Sequence, residues 1–128
     1  MTSHNLLVTL PIPSPKLSRN YTPVSKQGVG MVRNLIKRHK LLAIEAINEL
    51  KIAGTPWEKV QTQETYYFKT NRRRDIRNAE ALCKAYYDGF VEAGLMADDN
   101  HQILTHAPTR IEVDKDNPRL EILLTKLL

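Results

Sequence analysis

One cysteine, Cys83, stands in the 128 residues, so no disulfide can form within the chain. It falls among helix positions otherwise held by Ala, Leu and Tyr, which reads as a small buried hydrophobe. Long apolar runs are also missing. The opening MTSHNLLVTLPIPSP has too short an apolar run and no basic leader for a signal peptide, and no stretch reaches membrane-spanning length. A cytoplasmic protein with no membrane partner is the expectation. Internal repeats, low-complexity tracts and zinc-type His or Cys spacings are absent as well.

What the chain does have is enough apolar sequence, 41% of residues, to enclose one modest core, hence a single domain over residues 1–128. The formal charge of +5 favours a polyanionic partner. Residues 5–12 alternate as a strand that the prolines at 11, 13 and 15 end. The next stretch, SPKLSRNYTPVSKQG, mixes turn formers with Lys16, Arg19 and Lys26 and reads as an irregular loop, a candidate DNA-contacting flap.

Helical spacing of Val32, Leu35, Ile36, Ala43, Ile47 and Leu50 predicts a long helix over 29–53, stopped by Gly54 and Pro56. Its Lys37-Arg38-His39-Lys40 cluster is most simply a solvated face, with phosphate contact as the alternative. Trp57 is expected to anchor the core at the sheet edge.

Residues 60–69 read as a strand whose end delivers Arg72-Arg73-Arg74-Asp75. A second helix is predicted over 77–93, capped by Gly94, with Asp98-Asp99 in the following loop. Two last strands, 101–113 bent at Pro108 and 119–127, are joined by the turn former DKDNP. The order implies an α/β or α+β domain, a small mixed β-sheet of about four strands packed with two helices.

The chemistry concentrates in residues 69–102. Consecutive arginines beside an acid invite phosphate, and hydrolysis of a phosphodiester calls for hard oxygen ligands around a cation such as Mg2+. Asp75 and the pair Asp98 and Asp99 are the candidates. They stand at opposite ends of a predicted helix of about seventeen residues, roughly 25 Å, so convergence needs the chain to double back or a symmetry mate to contribute. Lys84 has Glu80 at i−4 and Asp88 at i+4; spacing alone favours a surface ion pair over a phosphate contact. His101 and His106 are expected in core or solvent-facing roles.

RRRDIRN followed by CKAYYDGFVEAGLMADDNHQI resembles the active-site region of RusA-type Holliday junction resolvases, the crossover junction endodeoxyribonucleases. LPIPSPKLSRN and NPRLEILLT resemble that family's proline-rich opening and last strand, so the likeness covers most of the chain. It implies a homodimer that cuts four-way DNA junctions in recombination and repair, using Mg2+ or Mn2+. By position it assigns Asp75, Asp99 and Lys84 to catalysis, with Asp75, Asp98 and Asp99 toward the metal. Lys16, Arg19, Lys69, Arg72, Arg73, Arg74 and Arg77 are then the DNA-binding set. Where the family has its second aspartate this chain has Arg77, which leaves Glu80 or Asn78 to stand in. The alternative is a catalytically silent junction or nucleic-acid binder of the same fold.

Overall fold

Alternation in VQTQETYYF sets the middle of the sheet. In the computed structural model, which describes residues 5–17, 22–52, 56–72, 74 and 82–127, strand β1 is Asn5–Leu10, helix α1 Lys26–Glu49 and strand β2 Val60–Phe68. Helix α2 is Lys84–Glu92, followed by β3 (Leu104–His106), β4 (Arg110–Val113) and β5 (Arg119–Lys126). On β2, Val60, Thr62, Glu64 and Tyr66 point to one buried face, as the period of two requires. Leu120, Ile122 and Leu124 of β5 do the same.

Strand β5 lies between β1 and β2, antiparallel to both. On the far side of β2, β3 and β4 pair in parallel with successive parts of the strand. Parallel neighbours need a crossover, and α2 lies in the one between β2 and β3. The mixed sheet packed with two helices is the architecture expected; among the described residues it has five strands rather than about four because the stretch around Pro108 divides one edge strand into β3 and β4.

The two helices run side by side in the same direction. His39 stacks near Tyr86, with ring centroids 5.3 Å apart, and Lys40 pairs with Glu92 at 2.5 Å. A Cβ on Gly89 would come within 2.5 Å of the Lys40 carbonyl oxygen, so this glycine is what permits the close crossing. Ala43 and Ile47 join Tyr86, Tyr87 and Phe90 over the buried sheet face.

Several boundaries differ from the sequence expectation. Helix α1 begins at Lys26, not residue 29, because the Ser25 side chain accepts a hydrogen bond from the Gly28 N–H at 3.0 Å and caps it. It ends at Glu49, before Gly54: Leu50 and Lys51 N–H groups bond three residues back, and Lys51 itself turns left-handed at φ 50°. The helix expected over 77–93 is regular from Lys84 to Glu92: Leu82 and Cys83 form a turn before it, and residues 77–81 lie outside the described ones. The supposed loop after β1 contains a 3-10 turn, Pro15–Leu17. His39 leaves the expected solvated cluster and is buried: the Ser14 N–H donates to its Nε2, so its Nδ1–H donates to the Leu35 carbonyl at 2.7 Å. Trp57 is a core anchor as expected, bridged to Met96.

Candidate functional site

Helix α2 stops on Gly94, at φ 90°, whose N–H bonds to Val91 while the Leu95 N–H reaches Phe90. This pair of reverse bonds is a Schellman closure. Leu95 and Met96 then bury against Trp57, whose N–H donates to the Leu95 carbonyl at 2.7 Å. Pinned there, the chain turns back along the helix. Asp98 and Asn100 knit the loop: Asp98 Oδ1 accepts the Asp99 N–H, Asn100 Nδ2 donates to Asp98 Oδ2, and Asn100 Oδ1 accepts from Gln102 and Ile103. The Asp98 carboxyl is therefore held below its usual pKa, chiefly by that backbone N–H and then by Asn100.

Between these two local acceptors, Asp99 projects its side chain to Lys84, with Oδ2 at 2.6 Å from Nζ. Lys84 also bonds Asp88 at 2.9 Å, one helical turn on. Hydrogen bonds to Asp99 first and Asp88 second hold the ammonium above the ordinary lysine pKa. The i, i+4 pair was foreseeable from spacing; the Asp99 contact, fifteen positions away in sequence, was not. The Asp98-Asp99 loop thus returns to the start of α2; Asp75, toward which the sequence expected it to converge, lies outside the described residues.

At Cys83, the residue before Lys84, lies a cluster that the sequence reading missed. Glu64, only 3% exposed, accepts hydrogen bonds from the hydroxyls of Tyr66, at 2.8 Å, and Tyr87, and from the Cys83 thiol at 3.6 Å. Burial above all, then the neighbouring Glu64 and Cys83, pushes both phenols well above their usual pKa, so they stay protonated donors. Tyr87 also reaches Thr62, whose hydroxyl meets His106 Nδ1 at 2.6 Å. Cys83 is buried as expected, yet its surroundings are polar, and its side chain turns inward instead of capping α2. The signal was available: a glutamate on the in-facing phase of an alternating strand must find buried donors.

The basic residues are distributed differently from one another. Lys69 and Arg72 are exposed beyond the end of β2. Arg74 folds back so that its guanidinium lies 3.7 Å from the Phe68 ring centroid, and Phe68 stacks on Tyr66. Its Nε makes no hydrogen bond among the described residues. Burial and then Arg72 lower its pKa. This column, Arg74 on Phe68 on Tyr66 and from Tyr66 to Cys83 at 2.9 Å, connects the basic segment to the residue preceding Lys84. Lys16 instead contacts Met31 on α1, its Nζ 3.0 Å from the sulfur. Asp75, Glu80, Asn78, Arg73, Arg77 and Arg19 lie outside the described residues.

As a partial ligand set for a hard cation, Asp99 fits. Lys84 takes Oδ2 and leaves Oδ1 without a hydrogen bond among the described residues, whereas both Asp98 oxygens are committed to the loop. Among those residues no group of three or more His, Cys, Asp or Glu is arranged to hold a metal ion. Magnesium characteristically uses one or two carboxylates with waters and substrate phosphate, so a single suitable carboxylate is compatible with it. No helix among the described residues is long and apolar enough to cross a membrane. No protein-family model matches the chain, and comparison with curated proteins finds no similar one.

Proposed function

We propose that the protein is a Mg2+-dependent, structure-selective endodeoxyribonuclease that acts as a homodimer on branched DNA, four-way junctions foremost. The observation that carries this reading is the return of the Asp98-Asp99 loop onto α2, which sets an exposed lysine against a carboxylate with one oxygen left over. Lys84 and Asp99 mask each other in the free protein. A phosphate arriving at Lys84 competes for the ammonium and releases Asp99 Oδ2, so both oxygens of that carboxylate become donors as substrate binds. A divalent cation held by Asp99, with Asp75 and either Glu80 or Asn78 completing the set, would supply charge neutralisation and activation of the attacking water. Lys84 then stabilises negative charge on the phosphate in the transition state, and Lys69, Arg72 and Arg74 hold the flanking backbone.

The test is incubation of the protein with a synthetic four-way junction or linear duplex, in Mg2+ or EDTA, beside Asp75→Asn and Asp99→Asn. Junction cleavage that needs Mg2+ and is lost in both variants is expected. Binding of the junction without cutting under any metal condition would replace the enzyme with a silent junction binder. Equal cutting by either variant would remove that residue from the site.

A further inference from the structure

All fourteen acidic residues lie from Glu45 onward, while seven lysines and arginines fall among residues 1–44, which contain no Asp or Glu. The structure gathers part of this one-signed segment on a single projecting element. From His39 onward α1 packs on α2, His39 level with Tyr86 and Lys40 with Gly89 and Glu92. Because the helices run in the same direction, residues 26–36 extend past the start of α2; none of them is buried, and the 3-10 turn meets them through Lys16 on Met31. The overhang is about 16 Å at the α-helical rise, on the side where Lys84 begins α2.

Lys26, Arg33 and Lys37 follow one another at spacings of seven and four, so they form a row along one face of the first half of α1. All three are exposed, and none has an ion pair among the described residues. Lys40 continues the row, but there Glu92 of the body neutralises it. The first turn of α1 carries Lys26 and no acid, against the preference of a helix N-terminus for negative charge. An external anion relieves that conflict.

We propose that the first half of α1 is a second DNA-binding surface, in which Lys26, Arg33 and Lys37 contact the phosphates of a duplex arm beside the candidate site. The choice of DNA among polyanions rests on the nuclease reading; the row and its charge do not. A second copy of the chain docking symmetrically here would bring like rows together, which repel. A membrane surface fits less well because the helix has no Trp, Tyr or Phe, and its exposed Val29 and Ile36 lie on a different side from Met31.

The experiment measures binding of a labelled linear duplex in EDTA across a salt series, for wild type and Lys26→Gln/Arg33→Gln/Lys37→Gln, with helicity checked by circular dichroism. The expected result is affinity lower by roughly tenfold or more and a log K against log salt slope shallower by about 2.7, three phosphates at ~0.9 each. An unchanged slope and affinity in a folded variant would overturn the proposal, as would a wild type that binds no duplex. Tighter binding to phosphatidylserine vesicles than to duplex, lost in the variant, would reassign the surface to membrane; a dimer lost in the variant would reassign it to a second copy. Cleavage plays no part in these readouts. A shallower slope in a protein that never cuts a junction would therefore leave this surface standing while the nuclease reading falls.

Discussion

Glu64 and Asp99 are both carboxyls held by short contacts near the start of α2, one bonded to Cys83 and Tyr87, the other to Lys84. Glu64 is enclosed and satisfied by neutral donors, two phenols and a thiol, each itself packed in the core. Asp99 is met by a lysine whose side chain is 67% exposed and which is shared with Asp88. Removing an acceptor from a closed cluster leaves buried donors with no water to turn to, whereas an exposed ion pair re-solvates at little cost. The first carboxyl is thus suited to stability, the second to giving up its partner.

The sharpest way to test that contrast is Lys84→Ala, which should lower junction cleavage roughly 100-fold or more, the range for losing one transition-state charge contact. Its unfolding free energy in urea should change by under about 1 kcal/mol, as for other exposed pairs. A large stability loss here would put Lys84 in the same structural class as Glu64. Next, Glu64→Ala should cost on the order of 3 kcal/mol in the same urea measurement, by orphaning buried hydroxyls. Glu64→Gln, which keeps one acceptor oxygen, should cost clearly less; equal losses would mean that volume rather than hydrogen bonding matters. Gly89→Ala should then cost about 2 kcal/mol by driving the helices apart, read as a lowered thermal midpoint. It should disturb Glu64 more than the surface pair.

The smallest effect is on pH dependence. Lys84 has a raised folded pKa, so its contribution is complete below the ordinary lysine value of 10.5 and is lost as pH rises through the higher folded value. Asp98, with a depressed pKa, contributes above the ordinary value of 3.8 and loses that contribution as pH falls through the lower folded one. Exposure keeps both effects small. Asp99→Asn should therefore flatten the alkaline limb of the urea midpoint against pH and leave the acid limb carried by Asp98; an unaltered alkaline limb would mean that Lys84 is not held by Asp99.

Much of the scaffold was legible because its signals are local. Alternation in β2 and β5, the Gly94 closure and the break at Pro108 each depend on a few neighbouring residues. Helix starts were misjudged where a cap outweighed the apolar pattern, as at Ser25. His39 was misread because it shares a sequence cluster with cations yet projects on the helix face that packs on Tyr86. The Glu64 cluster was overlooked because its partners come from two elements, β2 and the start of α2.

The sequence by itself determined the elements, the one-signed amino-terminal third and the identity of the candidate acids and cations, since composition and short-range periodicity are carried by the chain directly. Only the tertiary structure decided that Asp99 rather than Asp98 meets Lys84, that Glu64 is buried against Cys83 and Tyr87, and that the first half of α1 extends past the start of α2. Each depends on contacts between segments far apart in the chain, whose geometry is fixed by packing and loop closure.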